Sequence, residues 1–217
     1  MRPRLLVLSG GEPPWADPWH PFRSTSDSVA AVGREAGFDV EVSGDVANRL
    51  ADLTGVDVLV ANAPSAEVPA DTRAAAEKGL AAFLERSVGV LGLHTGVTTL
   101  AGLPAWSRLI GARWVQGVSG HPPLGPCTVQ GLDDPRVPAR RIELIDERYQ
   151  RMAFAGPVEP LVVDEETGDP LVWAREVGDT RVIADALGHD ERSLDSPEHR
   201  ELLARCLSWL ARIDEPA

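Results

Sequence analysis

Apolar residues recur along the chain in short unbroken runs that are separated by amphipathic stretches. Strands are predicted near residues 4–9, 38–43, 56–62, 88–94 and 181–187; in 38–43, Phe38, Val40 and Val42 alternate with charged residues. Unbroken apolar runs are typical of strands buried on both faces of a sheet. Helical periodicity predicts helices near 26–36, 71–86 and 197–213, capped by Asp71, Ser196 and Gly37. This alternation predicts an α/β fold with a doubly wound, mostly parallel sheet.

The second half of the chain has a different pattern. Between about 112 and 180, prolines separate short apolar runs: "RWVQGV", "CTVQGL", "RIELID", "EPLVVD" and "PLVWARE". These runs predict extra short strands, partly antiparallel and joined by long loops. No internal repeat interrupts the pattern, so residues 1–217 are expected to form a single domain.

Composition narrows the classes of partner. The formal net charge is -12, which disfavours nucleic acid and anionic membranes because both require clustered positive charge. No apolar run approaches the roughly 20 residues of a membrane helix, and "LLVL" is too short for the core of a signal peptide. We therefore expect a cytoplasmic protein that binds a small molecule. Whether it forms a homo-oligomer is open.

Four of the five histidines fall in loops at one edge of the predicted sheet. They are His20, His94, His121 and His189, each just beyond a predicted strand. In open parallel sheets, ligands bind at the carboxyl ends of the strands. The four side chains could bind a metal, act as general acids and bases, or be ordinary loop histidines. The fifth, His199, lies in the first turn of the last helix and is expected to be exposed.

The stretch "GVLGLHTG", residues 89–96, has the form of a nucleophile elbow, in which a strand turns sharply into a helix. The central residue is His94, where Ser or Cys is usual. Three alternatives remain: an elbow that has lost its nucleophile, an elbow with a different chemistry, or a chance arrangement of glycines. The loop Ser9-Gly10-Gly11 follows the first strand, and its amides are candidates for binding an anion. Asn62, at the end of the third strand, is a further candidate for substrate binding.

Carboxylates and aromatic residues add candidates near the same edge. The carboxylates are Glu147 and Asp190, with Glu12 and Asp17 next. Flat apolar rings together with hydrogen-bonding groups often hold sugars, which favours a carbohydrate ligand. The rings are Trp15, Trp19, Phe22, Trp114, Tyr149 and Trp173, whereas Trp106 and Trp209 lie on helical patterns and are expected in the core. Cys206 shares a helical face with leucines and is also expected in the core.

These segments, taken in order, resemble the trehalose-utilisation (ThuA-like) family. The resemblance rests on "LLVLSGG" with His20, on "FLERSVGVLGLHTG", on "WSRLIGARWVQGVSGHPP", on "IDERY", on "DPLVWAREVGDTRVIADALGHD" and on "SPEHRELLARCLSWL". It implies a flavodoxin-like, class I glutamine amidotransferase-like fold, and a role in using trehalose or related keto-sugars. In one departure, Asp134-Pro135 stands where many members carry His-Pro.

The resemblance also answers the question of the elbow. His94 stands where glutamine amidotransferases have cysteine, and an imidazole cannot form their thioester, so no glutaminase activity is expected. Three alternatives stay open: a carbohydrate-utilisation protein, a metal-dependent hydrolase or isomerase, and a non-catalytic sugar-binding or regulatory module. The cofactor is unknown, with zinc or another divalent metal as the candidate.

The predicted roles follow from these alternatives. His94 and His189 are the predicted catalytic residues. The predicted metal ligands are His20, His94, His121 and His189. The predicted substrate-binding residues are Ser9, Gly10, Gly11, Asn62, Glu147, Tyr149 and Asp190.

Overall fold

Strands and helices alternate through the first half of the chain. The computed structural model describes residues 2–98, 100 and 103–213. The elements of the first half are β1 (Arg4–Ser9), α1 (Phe22–Glu35), β2 (Asp39–Ser43), α2 (Val46–Ala51), β3 (Val58–Asn62), α3 (Ala70–Leu84), β4 (Gly89–Leu93) and α4 (Thr95–Thr98).

Strands dominate the second half, as its short apolar runs predict. Its elements are α5 (Pro104–Ile110), β5 (Ala112–Arg113), β6 (Gly125–Gly131), β7 (Arg141–Asp146), β8 (Ala153–Phe154), β9 (Glu159–Asp164), β10 (Pro170–Val177), β11 (Thr180–Asp185), α6 (Glu191–Leu194) and α7 (Pro197–Leu210).

One mixed sheet joins the two halves, in the order β2-β1-β3-β4-β11-β10-β9-β6-β7. The pairs from β2 to β11 are parallel, and the four pairs from β11 to β7 are antiparallel. The predicted α/β class with a mostly parallel core is confirmed, and so are the extra antiparallel strands. Four successive reversals bring β7 back to the direction of β1, β3, β4 and β11. The carboxyl end of β7 therefore lies at the same edge as theirs.

The sheet is covered on both faces, which explains its unbroken apolar strands. In β1, Leu6 and Leu8 belong to one core cluster, and Leu5 and Val7 belong to the other. The first cluster includes residues of α2, α3 and α5, and the second includes residues of α1 and α7. Side chains of a strand alternate between its two faces, so a strand between two layers needs apolar residues at every position.

Several local predictions are wrong. Helix α1 begins at Phe22 instead of residue 26, because the Thr25 hydroxyl bonds back to the carbonyls of Pro21 and Phe22, as in a first helical turn. Asp71 does not cap α3, which already begins at Ala70 after Pro69. Ser196 does precede α7, but its hydroxyl donates to the Glu143 carbonyl instead of capping the helix.

Two further elements differ from the prediction. Helix α2 was not predicted from the sequence. In the predicted strand "RWVQGV", only Arg113 is in a strand; Val118 and Ser119 instead donate to the Val115 carbonyl and form a turn. None of the helices in the described residues is both long and apolar enough to cross a membrane.

Candidate functional site

His94 occupies the predicted sharp turn between strand β4 and helix α4. Its φ is +46°, a left-handed conformation that is uncommon for a residue other than glycine. The His94 amide donates to the Asp185 carbonyl at 2.7 Å, which ties the turn to β11. A Cβ on Gly96 would lie 2.1 Å from the Ala61 carbonyl oxygen, so the elbow needs glycine there. Gly96 of "GLHTG" therefore allows a close approach of the backbone to β3.

Three imidazole rings converge at this edge of the sheet. The ring centres of His20, His94 and His189 are 4.8 to 5.2 Å apart. Glu147, just beyond β7, joins them, and one ligand atom from each of the four residues lies within 4.8 Å of every other. The sequence predicted that at least three of the four histidines would converge, and they do. Glu147 was predicted to bind substrate, whereas its carboxylate lies with the three rings in a group that could hold a metal ion.

His121 is not part of this group, although it was predicted to be a metal ligand. Its Nδ1 lies 3.4 Å from Glu147 Oε1 and 2.9 Å from the Pro122 carbonyl oxygen. Its ring centre is 6.0 Å from that of Tyr149. Glu147 thus separates His121 from the other histidines, because its other carboxylate oxygen faces His94 and His189.

Hydrogen bonds outside the group orient two of the rings. His20 Nδ1 lies 2.7 Å from the Asp17 carboxylate, and His94 Nδ1 lies 3.1 Å from the Ala186 carbonyl oxygen. With the Nδ1 proton donated to these acceptors, Nε2 of each ring is left as an acceptor that a ligand could use; in His94 it lies 3.0 Å from the Tyr149 hydroxyl. Carboxylates and carbonyls orient metal-binding histidines in this way.

The third ring has an unsatisfied nitrogen. His189 Nδ1 is buried without a hydrogen-bond partner, 3.3 Å from Glu147 Oε2 but not aligned for a bond. An orphaned buried nitrogen beside a carboxylate and two available Nε2 atoms fits a divalent metal ion, since imidazole and carboxylate both bind such ions.

Burial and neighbouring charges set the protonation of the site. Burial lowers the pKa of His94 well below its usual value, and the nearby rings of His20 and His189 lower it further. Burial raises the pKa of Tyr149 well above its usual value, and the charge of Glu147 adds to the effect. The Glu147 carboxylate raises the pKa of His189. At neutral pH His94 is therefore neutral, as a metal ligand must be, and Tyr149 keeps its proton.

Tyr149 links this group to a cavity of about 1070 Å³. Its hydroxyl lies 3.0 Å from His94 Nε2, and its ring packs edge-on against Trp114. The cavity is lined by Pro18, Trp19, His20, Ser65, Thr98, Trp114, Gln116, His121, Leu124, Glu147, Tyr149 and His189. None of these described lining residues is Lys or Arg. His94 does not line this cavity itself, because the residue is 1% exposed and lies behind the lining residues.

The amides of the predicted anion-binding loop are occupied. The Gly10 amide donates to the Asn62 carbonyl at 2.8 Å, and the Gly11 amide donates to the Trp15 carbonyl at 2.7 Å. The Ser9 hydroxyl lies between the carbonyls of Gly10 and Phe22. These contacts close the loop on itself and leave neither glycine amide for an anion, which contradicts the predicted role.

Asn62 and Asp190 also have structural partners instead of facing the cavity. The Asn62 amide donates to Phe22, Thr25 and Ser26 at the start of α1. Asp190 caps α6 by accepting from the Arg192 amide, and it pairs with the Arg192 guanidinium. The aromatic residues divide in the same way: Trp19 and Trp114 line the cavity, whereas Trp15, Phe22 and Trp173 are buried in or beside the core.

A buried polar network behind the site was not predicted. His199 is fully buried, not exposed: its Nε2 lies 2.9 Å from Asp185, and its Nδ1 lies 3.0 Å from the Ser193 hydroxyl, which donates to Asp146. The order Ser, His, Asp is that of a hydrolase triad. Burial of all three excludes substrate, so the network is structural. Its sequence signal is spacing, since His199 shares a helical face with Leu202, Leu203 and Cys206.

Asp134, the residue at which the chain departs from the resemblance, also has a structural role. Its carboxylate pairs with the Arg136 guanidinium at 2.7 Å, and Arg136 in turn pairs with Glu159. Asp134 is not among the described residues that line the cavity.

Comparisons with known proteins agree with this architecture. Residues 8–210 match the family model ThuA, described as trehalose utilisation. A ThuA-like protein from Parabacteroides merdae ATCC 43184 has a TM-score of 0.78 at 17% identity, covering 100% of this chain and 93% of that chain. A ThuA-like protein from Bacteroides uniformis ATCC 8492 has a TM-score of 0.71 at 16% identity, covering 96% and 92%.

A glutamine amidotransferase from Thermotoga maritima also shares the fold. Its TM-score is 0.57 at 10% identity, and the match covers 97% of this chain and 99% of that chain. A search of curated proteins gave no match. At such identities the structural likeness shows the fold alone.

Proposed function

The chain belongs to the trehalose utilisation (ThuA) family, and we propose that it is a metal-dependent hydrolase or isomerase of an uncharged carbohydrate, such as trehalose or a related keto-sugar. The observation that carries the proposal is the convergence of His20, His94, His189 and Glu147 beneath the cavity, with ligand atoms within 4.8 Å of one another. The description of the family supports carbohydrate as the substrate class.

The residues divide into ligands and groups that move protons. One nitrogen from each of His20, His94 and His189 and one oxygen of Glu147 would hold a divalent ion. When bound, such an ion polarises an oxygen atom of the substrate. Tyr149 is protonated, lines the cavity and donates to His94 Nε2. Ligation of that nitrogen would free the Tyr149 hydroxyl to donate to a substrate oxygen. His121 lies on the cavity side of Glu147 and is placed to exchange a proton with substrate.

The lining of the cavity supports an uncharged, hydroxyl-rich ligand. Trp19 and Trp114 offer flat apolar surfaces, and Trp19 is 72% exposed, so its ring is accessible to a ligand. Ser65, Thr98 and Gln116 offer hydrogen-bonding groups. The lining residues in the described part of the chain include no Lys or Arg to pair with a phosphate or carboxylate. A neutral sugar therefore fits the cavity better than a sugar phosphate.

The thiols of the chain support the absence of glutaminase activity. Burial raises the pKa of the Cys206 thiol, and it also raises the pKa of the half-buried Cys127 thiol. Glutamine hydrolysis needs a thiolate at the elbow, and that position holds His94. Purified protein should release no ammonia from glutamine, and steady release would contradict this part of the proposal.

Metal binding is the first test. Chelator-treated protein is titrated with zinc by calorimetry, alongside His189→Gln and the control His121→Gln, which removes a histidine of the cavity wall. We expect one tight site per chain, an affinity reduced more than about tenfold in His189→Gln, and a smaller loss in His121→Gln, whose ring contacts Glu147 but is not itself a proposed ligand. Absence of stoichiometric binding, or equal losses in the two variants, would overturn the metal site.

Turnover is the second test. Metal-loaded protein is incubated with neutral disaccharides, their keto derivatives and the corresponding sugar phosphates, and products are followed by mass spectrometry. The proposal expects conversion of a neutral sugar and none of its phosphate. Saturable binding of neutral sugars without any product would instead support a non-catalytic sugar-binding module.

A further inference from the structure

The segment that carries Glu147 and Tyr149 alternates between two environments. In residues 146–150, here called the site segment, Glu147 and Tyr149 line the cavity. Asp146, Arg148 and Gln150 are not among the described lining residues and contact neighbouring segments instead: Asp146 accepts from the amides of Gly188 and His189, and the other two contact Asp164. The even-numbered residues of the site segment are thus its anchors.

Two of the anchors meet the same carboxylate. Arg148 NH1 lies 3.4 Å from Asp164 Oδ1, and Gln150 Nε2 donates to Asp164 Oδ2 at 3.2 Å. Asp164 is the last residue of β9, and its side chain is 0% exposed. We propose that Asp164 is a positioning residue, which fixes the direction of Glu147 and Tyr149 by holding Arg148 and Gln150 on the side away from the cavity. This inference rests on the proposed function.

Asp164 is itself rigidly held, which a positioning residue requires. Its Oδ1 accepts from the amides of Glu166 and Thr167 in the turn before β10. Its backbone pairs with Val129 of β6 and bonds to the Asp169 carbonyl. A buried carboxylate so fully hydrogen-bonded keeps its geometry, and it makes loss of one partner costly.

The arrangement gives Asp164 control over both functional side chains of the site segment. Arg148 lies between Glu147 and Tyr149, and Gln150 follows Tyr149 directly. A metal ligand must be held to within about 0.5 Å, and loss of a supporting partner typically reduces metal affinity by about 10 to 100 times. Asp164 contacts neither the histidines nor the cavity lining in the described hydrogen bonds, so it acts only through its two partners.

The chain offers a matched control. Arg148 has a second carboxylate partner, Glu166, at 3.6 Å, and Glu166 is 72% exposed. Exposed ion pairs contribute little, so Glu166→Gln should leave the site unchanged. Asp164→Asn removes the same charge from the buried partner. Arg148→Met and Gln150→Leu each remove one of the two contacts with Asp164, and they replace Asp164→Asn as the test variants if that protein does not fold.

Two readouts on the full chain test the inference. The first is Co²⁺ alone, followed by its visible absorption, which reports ligand geometry and affinity. The second uses ¹³Cζ-tyrosine labelling without metal, because Tyr149 is the only tyrosine and gives one NMR resonance. We expect Asp164→Asn to weaken Co²⁺ binding by about 10 to 100 times and to shift or broaden the Tyr149 resonance. Glu166→Gln should match the wild type in both.

The outcomes separate this inference from the proposed function. A wild type that fails to bind Co²⁺ would overturn the metal site, while a shifted Tyr149 resonance in Asp164→Asn would still support positioning. If Asp164→Asn folds with lower stability but matches Glu166→Gln in Tyr149 resonance and Co²⁺ spectrum, Asp164 is merely structural and the inference is wrong. Should Asp164→Asn not fold, unchanged readouts in both Arg148→Met and Gln150→Leu would overturn it equally.

Discussion

His94 combines a strained backbone with a neutral ring, and both follow from its place at the turn. A left-handed φ on a residue other than glycine stores about 1–3 kcal/mol, which the surrounding structure must offset. The bonds from the His94 amide to Asp185 and from its Nδ1 to Ala186 supply that support. The same bonds direct Nε2 toward His20, His189 and Tyr149. The strain is thus tied to the orientation of the ring.

His94→Asn separates the backbone of the turn from its chemistry. Asparagine tolerates a left-handed φ, so the variant should fold and be more stable than His94→Val by about 1 kcal/mol or more in urea unfolding. It lacks the ring nitrogen, so its zinc affinity should fall more than about tenfold in calorimetry. Wild-type zinc affinity in the folded variant would show that His94 is not a ligand.

Gly96 tests whether close approach, rather than flexibility, explains the glycines of the elbow. A Cβ at Gly96 would meet the Ala61 carbonyl oxygen at 2.1 Å, whereas at Gly44 the nearest atom is 3.9 Å away. Gly96→Ala should lower the free energy of unfolding by about 1–3 kcal/mol or more, and Gly44→Ala should change it by less than about 0.5 kcal/mol. Equal effects of the two substitutions in denaturant melts would contradict the packing argument.

At the scale of elements, the sequence predicts long periodic segments and fails on short ones. The inner parallel strands were predictable because mainly apolar runs fit a sheet covered on both faces, and β2 was predictable because its apolar residues alternate with charged ones. Helix α2 was not, because its six residues are too few to show a period of 3.6. The burial of His199 was predicted incorrectly, because residues in the first turn of a helix are often exposed, although His199 also lies on the apolar face of α7. Contacts with Asp185, distant in sequence, decide its burial.

The network around His199 predicts how stability depends on pH. Burial alone would lower the pKa of His199, but the Asp185 carboxylate opposes this, with Asp146 and the Ser193 carbonyl, so the pKa is raised. A pKa raised by folding gives stability that is complete below the unfolded value, about 6.5, and is lost as pH rises through the folded value. The wild type should therefore progressively lose its stability advantage over His199→Gln as the pH rises above about 6.5.

Urea unfolding of both proteins across that range measures the difference. Burial raises the pKa of Asp146 to about 6, which gives the same sign in a lower window, from about pH 4 to 6. Groups outside the network are common to the two proteins, so their contributions largely cancel in the difference, whereas Asp146 and Asp185 are coupled to His199 and are part of the effect that is measured. A difference that stays constant with pH would show that His199 has the same pKa in the folded and unfolded states.

For the whole molecule, strand direction decides which residues meet. The histidines could be assigned to one edge because they follow parallel strands, and three of them converge there. The place of Glu147 depends on the four reversals between β11 and β7, and a sequence gives no count of such pairings. His121 was predicted to be a ligand, but it lies outside the group of possible ligands. Its distance from the other rings depends on long loops, which the sequence pattern does not determine. Residues 20, 94, 147 and 189 thus join four distant parts of the chain.

This assembly from distant segments predicts the thermal behaviour of the protein. A ligand that binds only the folded state adds about 2.7 kcal/mol at 100 times its Kd, which for a chain of this length raises Tm by roughly 5–10 °C. Both core clusters flank one sheet, so circular dichroism and tryptophan fluorescence should report a single transition, and zinc should shift it as a unit.

Because the chain has a net charge of -12, zinc could also stabilise it through surface carboxylates. His94→Asn keeps those carboxylates and should lose about half of the shift or more, whereas His121→Gln should retain most of it. Two separate transitions would contradict a single folding unit, and an undiminished shift in His94→Asn would assign the stabilisation to the surface.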